Sequence, residues 1–374
     1  MLSVIIPVYN EMENIKELVK RIEKTLLNEE YEIIFIDDSI DNTTEVIKSI
    51  AIEDKKVKFS HRETKNGLSS AVVEGFKISN GDIVAVMDGD LQHPPEILSD
   101  MINAIHRGAD VVVPSRFIPG GDDGGLNLFR KLVSAGARYM AKILLKKIRN
   151  FSDPTSGIFM LKKQIINEKK LCTVGWKILL EILVIGEYNN PVEIPYKFCN
   201  RNSGKSKMSL KVQMDYIVHL LSLISRSRED KRFYSFCAVG LIGVFIDMSV
   251  FALIGVILPA IYVKVAAVIS AVIAVVSNYI LNNSITWGDK LKNQMQLTNK
   301  FFGMKFIKYV MVSLIGILMK FIILLIFYNM FGLNKYIGNF IGILCSSFSN
   351  YYMSKFYVFE INRFKNVEDY YKSL

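Results

Sequence analysis

The chain has 374 residues, a formal net charge of +10 and an apolar fraction of 51 %. That length suggests about two domains, and the apolar residues crowd into the second half, which excludes a protein that is soluble throughout. The basic residues gather beside apolar segments without interleaved aromatics on a soluble face, which excludes a nucleic-acid binder and points to an anionic membrane surface or an anionic substrate.

Residues 1–115 alternate short apolar strands with helical patterns. "LSVIIPVY" (2–9) reads as a strand, "EMENIKELVKRIEKTLL" (11–27) as a helix with acids in its first turn, and "YEIIFIDDS" (31–39) as a second strand. The helix "NTTEVIKSIAIE" (42–53), the strand "VKFSHR" (57–62) and the helix "GLSSAVVEGFKIS" (67–79) follow. Then come "GDIVAVMD" (81–88), the helix "PEILSDMINAIHRG" (95–108) and "ADVVVPSR" (109–116). Strands without polar alternation are buried on both faces, so helices between them predict a mostly parallel α/β sheet, Rossmann-like in plan. Ligands bind such sheets at the carboxyl ends of the strands. Tyr9, Glu11, Asp37, Asp38, Asp88, Asp90 and Arg116 all fall there.

Residues 126–148 and 208–228 read as amphipathic helices with basic polar faces. Each is either a solvated helix over a core stripe or a helix lying in the membrane interface. From residue 234 the pattern predicts four α-helical membrane spans, at 234–257, 260–282, 308–331 and 335–356. The segments before the first span, between the second and third, and after the fourth are rich in Lys and Arg, which predicts a multi-pass cell-membrane protein with both termini and the soluble part cytoplasmic. The four cysteines (Cys172, Cys199, Cys237, Cys345) show no metal spacing, as expected of a reduced protein facing the cytosol. "MLSVIIPVYN" has no basic region and an apolar run of only strand length, so no cleavable signal peptide is expected.

The membrane half repeats itself. "FCAVGLIGVFIDMSVFALI" (236–254) aligns with "YVMVSLIGILMKFIILLIF" (309–327) at an offset of 73, and "SNYILNNSITWGD" (277–289) with "SNYYMSKFYVFEI" (349–361) at an offset of 72. Each unit is a hairpin of two spans, and the two point the same way. Asp247 and Lys320 are equivalent in this repeat. A charge at that depth is costly unless paired, so an Asp247–Lys320 ion pair between the hairpins is expected.

The chemistry concentrates at "VMDGDLQHPPE" (86–96). Alternation puts Asp88 and Asp90 on one side of an extended tip. Two carboxylates so close repel, and a divalent cation, Mg²⁺ or Mn²⁺, removes that cost while also binding substrate phosphates. Gln92 adds a neutral oxygen in the same alternation; His93 reads as a structural neighbour. Asp37 and Asp38 either cap the next helix or join the site. A metal–phosphate site calls for cations, and the candidates are Arg116, Arg130 and the loop "RNSGKSK" (201–207) with Arg201, Lys205 and Lys207. The same loop also reads as a solvated basic linker or a contact for anionic lipid.

The run of "SVIIPVYNE", "IIFIDDS", "GLSSAVVEGF", "VMDGDLQHPPE", "SRFIPGG", "DPTSGIFML", "GWKILLEIL" and "RNSGKSK" resembles the family-2 glycosyltransferases of GT-A fold, and among them the dolichol-phosphate (polyprenyl-phosphate) mannose synthases. The membrane half resembles the four-span GtrA-like domain fused to some of these enzymes. The resemblance implies a cytosolic GT-A domain over 1–207, an interfacial helix and linker over 208–230, and a GtrA-like membrane domain over 231–374. It implies that Pro7, Tyr9, Glu11, Ile36 and Asp38 cradle the nucleotide base and ribose. Asp88, Gly89 and Asp90 would meet the donor diphosphate and metal, with Gln92 completing the metal shell. Arg116, Arg130 and Ser134 would receive the acceptor phosphate, and Lys177, Arg201 and Lys207 would hold phosphates from the closing side. Gly89 stands where Ala is common in the mannose synthases, and "DSID" (38–41) departs by one residue from their usual run.

The implied reaction is metal-dependent, inverting transfer of mannose from GDP-mannose to dolichyl or polyprenyl phosphate. A phosphate acceptor is already an anion, so no general base is required. The alternatives are another nucleotide sugar, UDP-glucose first, or, in a different class, a lipid-linked sugar flippase with a regulatory nucleotide-binding domain.

Overall fold

The computed structural model describes the chain except for residues 64–66, 125–127, 167–170, 172–176, 200–209, 258–262, 289–298, 330–334 and 360–374. It forms two compact units, Met1–Asp230 and Lys231–Leu374.

The first unit is built from β1 (Leu2–Val8), α1 (Met12–Thr25), β2 (Tyr31–Asp37), α2 (Thr43–Glu53), β3 (Val57–His61), α3 (Leu68–Ile78), β4 (Ile83–Val86), α4 (Ile97–His106) and β5 (Val111–Ser115), followed by α5 (Leu128–Leu144), β6 (Phe159–Lys162), α6 (Ile178–Ile185), β7 (Pro191–Pro195) and α7 (Leu210–Arg226). The seven strands order β3-β2-β1-β4-β6-β5-β7. β6 runs antiparallel to both of its neighbours, and the other pairings are parallel. The sheet is thus mostly parallel, with helices on both faces. β6, β7 and α6 come from a stretch whose short apolar runs lack the regular strand–helix rhythm of the first 115 residues.

Strand alternation sorts the core into two layers. Val4, Ile6 and Val8 of β1 pack with Ile15, Leu18, Val19 and Ile22 of α1 and with Leu98, Met101 and Ile102 of α4. Those helix positions recur at the three- and four-residue spacing that puts side chains on one face. Ile5 turns the other way, toward Val72 and Phe76 of α3 and a layer that includes α6 and α7. Each fully buried Ile or Leu contributes about 2 kcal/mol of apolar transfer, and both faces of β1 and β2 carry them, which is why these strands lack polar alternation.

The membrane unit contains most of α8 (Arg228–Ile257), α9 (Val263–Leu281), α10 (Asn299–Asn329) and α11 (Lys335–Met353). α9 and α11 each run into a five-residue π-helical turn, Asn282–Thr286 and Ser354–Val358. Among the described residues three helices are long and apolar enough to cross a membrane, Arg228–Ile254, Val268–Thr286 and Gly303–Phe327. The fourth expected span coincides with α11, a 19-residue helix that is not among those three. The expected Asp247–Lys320 ion pair is not formed; Asp247 Oδ1 is buried without a hydrogen-bond partner.

The hairpins instead meet through aromatic rings, and the contacts come in equivalent pairs. Phe233 meets Tyr351 edge-on at 5.1 Å between centroids, and Phe306 meets Tyr279 at 5.2 Å. Phe236 lies 5.6 Å from Tyr351, and its counterpart Tyr309 lies 5.5 Å from Tyr279. Trp287 stacks on its own repeat partner, Phe359, at 4.1 Å with the planes 8° apart. Equivalent residues touch only on the axis that relates two repeats. Trp287 and Phe359 lie on it, whereas Asp247 and Lys320 do not.

Candidate active site

The carboxyl edge of the sheet opens between β1 and β4. β4 pairs with β1 only over Leu2–Ile5, whereas β2 follows β1 to Val8. The Ile5 carbonyl accepts from Met87 N on the β4 side, so Pro7, two residues on, turns its missing N–H into the gap beyond. A proline costs the ladder nothing there.

The chain leaving β4 fills this gap with Asp88, Gly89 and Asp90. Gly89 is required by contact: a Cβ there would lie 2.8 Å from Val8 Cγ1. Leu91 adopts φ 57°, a left-handed conformation costly for a branched side chain. That turn lets Asp90 Oδ1 accept from Gln92 N at 3.1 Å. Asp90 is 5 % exposed, whereas Asp88 keeps 37 % of its side-chain surface open. Gln92 reaches back to the chain after β7, its side-chain Nε2 donating to the Cys199 carbonyl at 3.4 Å and its main-chain carbonyl accepting from Cys199 N at 2.9 Å.

A cavity of about 150 Å³ lies beside this turn, lined by Pro7, Asp88, His93, Arg116, Gly157 and Lys177 among others. His93 is buried, its Nε2 is 3.4 Å from Asp88 Oδ2, and its ring stacks on Tyr196 at 5.7 Å. Burial raises the pKa of the Tyr196 phenol. Gly157 closes the opposite side; a Cβ there would stand 2.7 Å from Asp88 Oδ2.

Arg116, just past β5, donates from Nε to Asp153 Oδ2 at 2.8 Å. Burial works against its charge, but Asp153 outweighs it and the guanidinium is held above its ordinary pKa. Lys177 donates from Nζ to the Thr155 carbonyl at 2.6 Å. Burial, with Arg116 adding to it, pulls its pKa down to about 8 against the opposing pull of Asp153 and Asp88. The pocket therefore holds two enclosed cations beside a carboxylate, an arrangement suited to a bound polyanion.

The ends of β1 and β2 form the adjoining face. Asp37 accepts from Ser39 N at 2.9 Å and is bonded by Thr44 Oγ1 and His61. Burial alone would raise its pKa; those hydrogen bonds overcome it and hold the carboxyl below the usual range. Asp37 is thus a brace for the start of α2. Asp38 receives two hydrogen bonds from Arg62, at 2.5 Å and 2.6 Å, and both side chains are largely buried. Glu11 begins α1; its N–H donates to Thr43 Oγ1 at 3.0 Å and its Oε2 accepts from Asn14 Nδ2 at 2.7 Å. Tyr9 is half-buried beside it, and Ile36 is wholly buried.

Of the expected site residues, the structure brings Pro7, Asp88, Arg116 and Lys177 to one cavity, with Gly89, Asp90 and Gln92 on the turn that carries Asp88. Ser134 is half-buried on α5 and is not among the residues lining the cavity. The Arg130 side chain, Arg201 and Lys207 lie outside the described residues. Arg62, Asp153, Thr155 and Gly157 were not singled out from sequence. The last three belong to "DPTSG", a stretch whose polar and turn-forming residues signal a loop but not its destination.

The chain from 3 to 168 matches the model of glycosyl transferase family 2, and 235–359 matches the GtrA/DPMS transmembrane domain. A dolichol-phosphate mannosyltransferase of Pyrococcus furiosus is 37 % identical, covering 92 % of this chain and 95 % of that protein. The chain belongs to the dolichol-phosphate mannosyltransferase family. It is a membrane-bound glycosyltransferase. A family member from Saccharomyces cerevisiae is 36 % identical, over 59 % of this chain and 86 % of its own. Among solved structures, glucosyl-3-phosphoglycerate synthase from Mycobacterium tuberculosis gives a TM-score of 0.47 at 19 % identity, over 60 % of this chain and 79 % of that one, a likeness too slight to bear on function.

Among the described residues no three His, Cys, Asp or Glu side chains converge as a metal site. Asp88 and Asp90 with the Gln92 amide instead offer oxygen only. That suits a hard divalent ion that keeps water and substrate phosphate in its shell, and fits neither zinc nor copper.

Proposed function

We propose that the chain transfers mannose from GDP-mannose to dolichyl or polyprenyl phosphate, with inversion and with a divalent metal. The observation that carries this reading is the convergence of Asp88, Arg116 and Lys177 on one cavity at the carboxyl edge of the sheet, in a chain whose relatives bear that activity in their names. Pro7, Tyr9, Glu11 and Asp38 hold the base and ribose, with Arg62 fixing the Asp38 carboxylate; the expected contact of Ile36 is withdrawn, because that residue has no exposed surface and packs in the core behind them. Asp88, Asp90 and Gln92 would hold Mg²⁺ or Mn²⁺, and Gly89 lets the backbone approach the diphosphate. The bound ion would supply Lewis-acid stabilisation of the departing diphosphate, a contribution of several kcal/mol. Lys177, Arg201 and Lys207 neutralise donor phosphates, while Arg116, Arg130 and Ser134 receive the acceptor phosphate. These fixed charges stabilise the leaving group without reorganising, and alignment of the two substrates supplies much of the remaining rate. The acceptor attacks as an anion, so the chain needs no general base.

Residues 1–207 carry the chemistry, 208–230 the interfacial helix and 231–374 the membrane anchor. α5 and α7 support a site that meets a lipid: Leu132, Tyr139 and Ile143 on α5, and Met214, Val218 and Leu221 on α7, all point outward. The catalytic unit and both termini face the cytoplasm, on the side of the Lys- and Arg-rich segments.

Purified protein given a short polyprenyl phosphate and Mg²⁺ is expected to transfer sugar from GDP-mannose. EDTA or Asp90→Ala should lower the rate about a hundred- to a thousandfold. Transfer from UDP-glucose alone would keep the site and change the donor. Full transfer by Asp90→Ala would overturn the metal and catalytic roles together.

A further inference from the structure

α6 buries all seven residues from Ile178 to Val184, and six of them are aliphatic. The exception, Glu181, is 0 % exposed. Two side chains of α7 lie against it. Arg226 donates to Glu181 Oε1, and His219, 1 % exposed, places Nε2 3.6 Å from Oε2. α7 is itself seated by buried Leu220 and Leu223 and by Tyr216, whose hydroxyl donates to the Ala137 carbonyl of α5 at 2.9 Å.

Stability does not explain this ionic contact. Taking the Glu181 carboxylate out of water costs several kcal/mol, and apolar side chains of similar volume hold such a site as well or better. What an ionic contact adds over an aliphatic one is direction: it admits one register between two helices where a greasy seam admits several. The register of α6 has a chemical consequence. Lys177 is the residue immediately before α6, one turn from Glu181, and its Nζ reaches the Thr155 carbonyl at 2.6 Å. A slip of one residue along a helix is 1.5 Å, enough to break that hydrogen bond and carry the ammonium away from Asp88 and Arg116.

We propose that Glu181 is a positioning residue: held by Arg226 of α7, with His219 packed beside it, it fixes the register of α6 and thereby the place of the Lys177 ammonium in the donor-phosphate site. The proposal rests on the reading of Lys177 given above.

The test is a cycle in the full-length protein in detergent, measuring kcat, donor KM and melting temperature. The pair Glu181→Leu/Arg226→Leu removes the ionic contact while leaving an apolar seam. It is expected to keep its melting temperature and to lose about tenfold in kcat/KM, mostly in kcat, as a misplacement of a reacting-site group does. In a Lys177→Ala background the same pair should change kcat/KM less than twofold, because coupled residues do not add. A folded Leu pair as active as the parent would overturn the proposal, as would an equal loss in both backgrounds. Should the Leu pair not fold, Glu181→Met/Arg226→Met, an apolar pair of unbranched side chains that also removes the contact, is read by the same criteria. Unchanged kcat/KM in Lys177→Ala alone would also remove the proposal, but there the fault lies with the reading of the site and not with the ionic contact.

Discussion

In the catalytic unit Asp38 takes two hydrogen bonds from Arg62, Asp153 takes one from Arg116, and Glu181 meets Arg226. In the membrane unit Asp247, Asn278 and Asn350 bury side-chain oxygens that have no hydrogen-bond partner, and paired aromatic rings join the hairpins. The contrast follows from the two solvents. At its sheet edge the water-soluble unit pairs the carboxylates of Asp38 and Asp153, which it takes out of water, with guanidinium groups. In the bilayer, lipid tails are as apolar as leucine, so cohesion comes from close packing and shape. The same unit of free energy is therefore lost by different substitutions in the two halves.

The largest effect is expected where a buried charge loses its partner. Arg62→Ala leaves Asp38 in place without its two hydrogen bonds, which should cost about 3 kcal/mol. A melting curve should show it directly, and donor KM should rise because Asp38, proposed to hold the ribose, loses the group that fixes it. An unchanged melting temperature would mean that this pair is not what holds the edge together.

Gly157→Ala tests the same edge by shape. The new Cβ would stand 2.7 Å from Asp88 Oδ2 and 3.0 Å from His93 Nε2. Asp88 is the freer of the two, so it should swing and kcat/KM should fall about a hundredfold, with little change in melting temperature. Retained activity would show that Asp88 tolerates displacement and is not placed for chemistry.

The difference between these two positions also marks what a single sequence reveals. Asp88, Asp90 and Arg116 were legible because a strand ending in charge announces itself locally, and the parallel-sheet rule says where strand ends meet. Arg62 and Asp153 were not, since each acquires its meaning from a partner 24 or 37 residues away, which no period or spacing encodes. β6 escaped for a related reason: four residues, Phe159–Lys162, are too few to show alternation. The duplication in the membrane half was plain from offsets of 73 and 72, yet the pairing drawn from it was wrong. Equivalence under a rotation makes residues alike; only the axis makes them neighbours. Trp287 and Phe359 satisfy that condition, and nothing in the alignment separates them from Asp247 and Lys320.

In the membrane unit the larger loss should come from a methyl group. Gly243 packs on Asn278 and its equivalent Gly316 on Asn350, so closely that a Cβ would fall 2.3 Å and 2.2 Å from the amide. Gly243→Ala and Gly316→Ala should each cost about 2 kcal/mol, the usual penalty of overpacking. Because the hairpins are equivalent, the two should cost alike. A twofold disparity in the shift of melting temperature would show that one hairpin carries more of the fold.

The smallest effect uses the point at which the hairpins differ. Asn282 of the first hairpin donates from Nδ2 to the Tyr309 hydroxyl of the second at 3.1 Å. The equivalents are Ser354 for Asn282 and Phe236 for Tyr309, by the offsets of 72 and 73. Phe236 has no hydroxyl, and Ser354, 1 % exposed, has a buried Oγ without a partner. Phe236→Tyr would place an oxygen where the repeat already accommodates one, facing the serine that lacks it. A hydrogen bond between membrane helices is worth about 0.6 kcal/mol, so the variant should melt slightly higher than the parent. Ser354→Ala in the parent should be close to neutral, and in the Phe236→Tyr background it should abolish the gain. If Phe236→Tyr instead lowers the melting temperature and Ser354→Ala does not alter that, the ring pairs match in outline while the space around them does not. The two hairpins would then be equivalent in their path through the bilayer but not in their packing.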